Sequence, residues 1–318
     1  MVDMMHNLSD HWRMHHLLSI PGINTAMKYF KKYTDRSKCW WCGSNDPSGE
    51  HKMKKTELEM LYGKVYQKGN LINHIKYKTE SHGKNIQGSN SNRVKFEKNL
   101  CKICNGAKSQ KFDKAYQKLI EFYFLNRNEI KESKAIDLEV VYGENWKVEY
   151  LNVERYIGKH LGCRLAEIGF IPTENLIAFL DETTENNDLK ISFQIKPYFV
   201  GKADDPIDSI FMGPANPINS SMIKAKDLVT SLSGWYTIAN FTWNYLHEHK
   251  ISKRRKINKV LKIDLVDYSG LEGISFPLNE ETFISDWSKI LDKLEYYPFE
   301  NGSKDIEHYR YIKNAKLN

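Results

Sequence analysis

No stretch of this 318-residue chain approaches the ~20 apolar residues that a membrane-spanning helix needs, the longest runs being of the length of Leu176 to Leu180. Its first residues, Met1 to Leu18, are broken by Asp3, His6, Asp10, Arg13, His15 and His16, so they do not read as a secretory signal. Glycine-rich phosphate loops, a nucleophile elbow and kinase signatures are missing, which leaves those chemistries without a sequence signal. No internal repeat is visible.

What is present is enough apolar material for real cores: 41% hydrophobic and 12% aromatic residues against 27% charged, which excludes a wholly disordered chain. The length points to two domains. A soluble, cytoplasmic protein with no membrane partner is expected.

The formal charge of +7 is unevenly placed. Residues 1–130 hold 23 Lys+Arg against 12 Asp+Glu, whereas the remainder holds 24 against 28. A basic first part joined to a mildly acidic second part suggests a polyanion partner for the first only. A generally lysine-rich composition is the plainer reading of the same numbers.

The cysteines sharpen this. Cys39 and Cys42 form one C-x-x-C pair, Cys101 and Cys104 another, and Cys163 stands apart in an apolar-periodic segment as a buried small hydrophobe. In a cytosolic chain thiols stay reduced, so a disulfide framework is not expected. Two residues between cysteines let both thiolates turn onto one ion, and two such knuckles complete a tetrahedral sulfur site suited to Zn²⁺. A redox role needs only one such pair at a helix start. Between and after the knuckles lie Glu50-His51 and Asn105, with Lys108-Ser109 following.

In this pattern the chain resembles the zinc-containing HNH endonucleases of the ββα-metal group. Cys39-Trp40-Trp41-Cys42, Glu50-His51, and Cys101-Lys102-Ile103-Cys104-Asn105 with Lys108 carry the likeness, over roughly residues 36–125. Residues 109–116 are similar to a subgroup of bacterial HNH proteins with an uncharacterised C-terminal region. The resemblance implies metal-dependent hydrolysis of DNA phosphodiesters to 5′-phosphate and 3′-hydroxyl ends. His51 is then the general base, while Glu50 and Asn105 hold one Mg²⁺ or Mn²⁺ through oxygen. Asn105 is expected at a helix start. The family's middle asparagine is displaced here; Asn90, Asn92 and Asn99 are the candidates, and Asn92 is taken as the one that orients the base. The interval from His51 to Cys101 is long, with residues 61–84 reading as a lysine-rich insertion. Stand-alone HNH proteins with an extra domain also suggest restriction or anti-phage defence, by analogy only. Cutting both strands calls for a homodimer.

The helix after the second knuckle can be read without the family. Phe112, Ala115, Tyr116, Leu119, Ile120 and Tyr123 recur at three- and four-residue steps. Its other face carries Lys108, Lys111, Lys114 and Lys118. DNA contact is expected from Lys52, Arg93, Lys108, Ser109 and Lys111; a solvated lysine face is the alternative.

The fold class expected is therefore α+β: an N-terminal helical segment over 1–35, an HNH ββα module with a four-cysteine zinc site over 36–126, a connection over 127–150, and a mixed α+β domain over 151–318 for recognition or regulation, sensing an unknown ligand or protein. In that last region helices are expected at 152–169 and 174–180. Strands are expected at 189–195, 207–212, 235–243 and 260–266, and a further helix at 280–294. His11 and His15 lie one helical turn apart and could share an ion, but an exposed helix face is the plainer reading. The run Lys253-Arg254-Arg255-Lys256, with Lys259 and Lys262, reads as a solvated turn or a phosphate contact. Three functions stay open: a nuclease, a non-catalytic zinc-stabilised nucleic-acid-binding protein, and a zinc-held interaction scaffold.

Overall fold

The computed structural model describes residues 31–62, 72–76, 84–86, 88–167, 169–195, 209–212, 216–217, 231–238, 241–248, 257–265 and 281–284. Residues 1–30 with their four histidines, the run at 253–256 and most of the expected insertion lie outside the described residues.

The architecture is mixed α+β. The first half holds strands β1 (Lys31–Lys32), β2 (Pro47–Ser48), β3 (Ile72–Lys76), β4 (Lys84–Ile86) and β5 (Leu100–Cys101). Its helices are α1 (Lys55–Tyr62), the single turn α2 (Lys102–Asn105) and α3 (Gln110–Leu125). The periodic apolar residues of α3 are all buried, the larger ones such as Phe112, Leu119 and Ile120 contributing roughly 1.5–3 kcal/mol each. Next come α4 (Arg127–Ser133), β6 (Ala135–Asp137), α5 (Leu138–Tyr142) and the long α6 (Trp146–Glu167). The remaining elements are β7 (Phe170–Ile171), α7 (Glu174–Leu180), β8 (Leu189–Ile195), β9 (Ser209–Met212), β10 (Asn216–Pro217), β11 (Ser231–Ile238), β12 (Phe241–Glu248), β13 (Val260–Leu265) and β14 (Glu281–Ile284).

A large sheet runs β4-β3-β14-β9-β11-β12-β8-β13-β6, with β10 beside β11. Its pairings are antiparallel except β8 with β13. Alternation in β8 buries Leu189, Ile191, Phe193 and Ile195 while Lys190 and Ser192 face outward. No described helix is long and apolar enough to cross a membrane.

Four expectations change. The stretch 127–150 is not a plain connection: Ile130, Ile136, Leu138, Val141 and Tyr142 are buried, and β6 pairs with β13. The boundary drawn at 151 falls inside α6, whose residues from Tyr150 to Ala166 are buried on every side. One cluster of buried side chains spans the chain from Tyr33 to Ile263, so both expected halves feed a shared core. Within the span 280–294 expected as a helix, the described residues 281–284 form β14 instead, because its backbone finds partners on both sides, β3 and β9; 285–294 lie outside the described residues. The single strand expected at 235–243 is a hairpin closed at Ile238↔Phe241.

Candidate metal centre and the Glu50–His51 strand

The first knuckle turns at Gly43, whose φ of 75° suits glycine, and is closed by Gly43 N–H to Cys39 O at 2.9 Å and Cys39 N–H to Ser44 O at 2.7 Å. The second is built by β5 running into α2, where the Cys104 N–H donates to Cys101 Sγ at 3.4 Å. Pairing of Pro47 with Cys101 draws the two knuckles together. The four sulfurs lie within 4.8 Å of one another, and Cys42 Sγ is 3.6 Å from Cys101 Sγ. A tetrahedral site with Zn–S bonds of ~2.3 Å needs sulfurs about 3.8 Å apart. The donor set therefore fits a metal such as zinc. A hydrogen bond from Cys104 favours the Cys39 thiolate against the cost of burial, with backbone N–H groups adding to it, and its pKa falls to about 4. Thiolate is the form a metal requires.

Trp40, inside the first knuckle, is buried against α6. Trp41 donates through Nε1 to Asp181 Oδ1 at 2.7 Å. Cys163 is buried and free, with its thiol pKa pushed up by burial.

Glu50 and His51 sit on an extended segment: Phe96 N–H donates to Glu50 O and Lys52 N–H to Val94 O, each at 2.8 Å. Neighbouring side chains on such a backbone point to opposite faces, and these two find partners on different elements. His51 Nε2 lies 3.1 Å from the Ser89 carbonyl oxygen. A carbonyl only accepts, so Nε2 carries the proton and Nδ1 keeps its lone pair. Burial lowers the His51 pKa, the Ser89 bond opposes this, and Lys95, Lys55 and Lys159 lower it further.

The ring is thus oriented by a backbone carbonyl. Of the asparagine candidates, Asn92 is exposed at the start of a short 3₁₀ turn, Asn90 is exposed, and Asn99 is buried with its amide donating to Cys163 O at 3.1 Å. Asn105 does not start a helix; it ends α2. Its amide reaches Gly49 O at 3.4 Å, and among the described residues no hydrogen bond joins it to Glu50 or His51.

Glu50 turns inward to a group that sequence reading missed. Lys159 of α6, 1% exposed at its side chain, places Nζ 3.1 Å from Glu50 Oε1. The same nitrogen lies 3.0 and 3.2 Å from the Asp113 carboxylate oxygens and 3.3 Å from Ser109 Oγ. Burial opposes the ammonium, but Glu50 and Asp113 outweigh it and raise the Lys159 pKa. Burial raises the Glu50 pKa in turn, while Lys159 pulls it down. Lys54 adds a second ammonium, 3.8 Å from Asp113 Oδ1.

The divalent ion implied for Glu50 and Asn105 does not fit this arrangement. Two unit charges at 4 Å interact by ~4 kcal/mol at an effective dielectric of about 20, so a dication beside Lys159 meets about 8 kcal/mol of repulsion. The carboxylates that would offset this are already matched by Lys54 and Lys159.

The expected DNA contacts also divide. Lys52 is buried, its Nζ 3.0 Å from Glu167 Oε1, and Ser109 is buried against Lys159; neither can meet a phosphate as placed. Lys108 pairs with Asp181 and lies 4.4 Å from the Trp41 ring centroid. Lys111 pairs with Glu182 at 2.5 Å yet stays half exposed. Arg93 is partly buried, and Lys114 and Lys118 are exposed on α3. Lys259 pairs with Glu139, as a solvated residue would.

No family model, curated protein or solved structure matches the chain.

Proposed function

We propose that the chain is an HNH-type nuclease that hydrolyses DNA phosphodiesters in the cytoplasm, with the knuckles as a structural zinc site. The observation that carries this reading is the state of His51. Its Nε2 lies 3.1 Å from a carbonyl oxygen and burial disfavours its charged form, and the neutral ring held this way keeps a lone pair on Nδ1. It lies on an extended strand tied to a sulfur cluster and followed by the lysine-faced helix α3. In the reaction His51 takes a proton from water, the hydroxide attacks phosphorus, and the 3′ oxygen leaves and takes a proton from solvent, giving 5′-phosphate and 3′-hydroxyl ends. Lys55 and Lys95, which act electrostatically on His51, and Lys111 and Lys114 on α3 are the cations offered to phosphates. No step is assigned to a divalent ion, because Glu50 faces Lys159.

The test is plasmid cleavage by the full chain with Mg²⁺, with Mn²⁺ and with chelator, beside His51→Ala. Cutting by the wild type that drops at least a hundredfold in the variant supports the reading. A wild type that never cuts, or a variant that cuts equally well, ends it. The Glu50–Lys159 pair favours one other reading, a zinc-stabilised nucleic-acid-binding protein without catalysis, since it commits an expected ligand to an internal contact. Its mark is salt-sensitive DNA binding unaltered by His51→Ala.

A further inference from the structure

The buried cluster at the meeting of three segments is built as a cation site. Glu50 comes from the extended strand, Asp113 and Ser109 from the start of α3, and the cation from the middle of α6. Four oxygens surround Lys159 Nζ at 3.0–3.3 Å. Three ammonium protons serve them, the Asp113 carboxylate sharing its donor between two oxygens. Two carboxylates, Glu50 and Asp113, face two ammoniums, Lys159 and Lys54, and the Glu57 carboxyl, which accepts from Tyr116 and Tyr236, also acts on Lys54. Lys54 is held by the Asp113 backbone carbonyl and stands over Tyr116 and Tyr156, with Nζ 5.8 and 5.3 Å from their ring centroids.

We propose that Lys159 is the resident cation of the Glu50–Asp113 site, so that the folded chain holds no divalent ion there, and that removing this one charge converts the pair of carboxylates into a divalent-metal site. The chemistry is the same in both states. Hard carboxylate oxygens bind either an ammonium through hydrogen bonds or an ion such as Mn²⁺ through direct coordination. Loss of Lys159 leaves two half-buried carboxylates with one ammonium, Lys54, 3.8 Å from Asp113, so Glu50 loses its ion-pair partner, and a carboxylate drawn away from water without one seeks a counter-charge. Glu50 and Asp113 would be its ligands, with Ser109 Oγ beside them.

The proposal stands whether the chain cuts DNA or only binds it, and its readout is separate: nuclease failure is read from plasmid, this one from metal titration. The zinc-loaded full chain is titrated with Mn²⁺ alone by calorimetry and electron paramagnetic resonance. Wild type and Glu50→Gln are expected to give the same titration, since Glu50 is not offered to the ion. Lys159→Ala is expected to gain one Mn²⁺ site at least tenfold tighter than anything in the wild type, and Lys159→Ala with Glu50→Gln to lose it. A wild-type Mn²⁺ site that Glu50→Gln removes overturns the proposal, as does a folded Lys159→Ala chain, with full zinc content, that gains no site. Should Lys159→Ala fail to fold, the wild-type and Glu50→Gln comparison decides alone: equal titrations support the proposal and a Glu50-dependent site refutes it.

Discussion

Replacing Gly162 by alanine tests how the first knuckle is seated on α6. A Cβ added at Gly162 would stand 2.3 Å from Trp40 Cη2 and 2.4 Å from its Cζ2, where carbon contacts prefer about 3.5–4.0 Å. Trp40 is 3% exposed and stacks on Trp41 with ring centroids 5.8 Å apart, so the ring must move by more than ~1 Å within a close-packed interior. Two effects oppose. Alanine in a helix interior gains about 1 kcal/mol over glycine, while overpacking a core costs about 1–3 kcal/mol. The closeness of the clash puts its cost at the upper end, for a net loss of about 2 kcal/mol. Gly158 is the control, one turn earlier on the same helix. Its added Cβ meets Leu176 Cδ1 at 3.0 Å, Leu189 Cδ1 at 3.3 Å and Leu180 Cδ2 at 3.4 Å, all terminal methyls that can swing aside. Gly158→Ala is expected to stay within about 1 kcal/mol of the wild type. With a urea slope of ~2 kcal/mol/M, the Gly162→Ala midpoint falls by about 1 M. Because Trp40 lies between Cys39 and Cys42, zinc release to a chelator should also quicken in that variant. A Gly162→Ala chain as stable as Gly158→Ala, with unchanged zinc release, refutes the seating described here.

Metal analysis of the purified chain should find one zinc per chain, and Cys101→Ser should abolish it; a wild type with less than about a tenth of an equivalent contradicts the sulfur site. His160 gives a pH prediction. Burial first, with Arg164, Lys159 and Lys52 nearby, lowers its pKa to about 3, although Nε2 contacts Lys52 O at 3.0 Å. The fold favours the neutral ring, so the unfolded chain gains the proton first. Stability is then full above the ordinary value near 6.5 and is lost as pH falls toward 3, by about 2 kcal/mol at pH 5. Urea midpoints at pH 7 and pH 5 should show this loss, and His160→Gln should shrink it; an equal loss in both chains removes His160 as its cause. Finally, Asp181 and Glu182 cover Lys108 and Lys111, so Asp181→Asn with Glu182→Gln should tighten duplex DNA binding by about two- to fivefold in anisotropy at low salt. Weaker binding would mean these lysines do not meet DNA.

The parts of this fold that can be read from sequence are those set by near neighbours. Cysteine spacing foretells four sulfurs in one cluster, and the three- and four-residue steps of Phe112 to Tyr123 foretell α3, because one face of that helix is buried and the other is not. Strand β8 is legible for the same reason, since Leu189 to Ile195 alternates between core and solvent. α6 hides its chemistry because it is covered all round. Lys159 and His160 look like surface residues when only composition is counted, and a tally of lysines credits Lys52 to DNA although the fold spends it on Glu167. Glu50 and His51 are legible as a pair but not as a site, because an extended backbone parts the side chains that sequence joins. One signal is available. Arg155 and Lys159 are one helical turn apart, and both meet α3, Arg155 with its guanidinium carbon 5.8 Å from the Phe112 ring centroid and Lys159 on Asp113. A basic i, i+4 stripe within an otherwise core-forming helix asks for buried acids, and Asp113 is the single acidic residue on the lysine-rich helix α3 before Glu121. Matching that stripe to that acid pairs Lys159 with Asp113 from residue pattern, while the arrival of Glu50 at the same nitrogen needs the fold that lays its strand across α6.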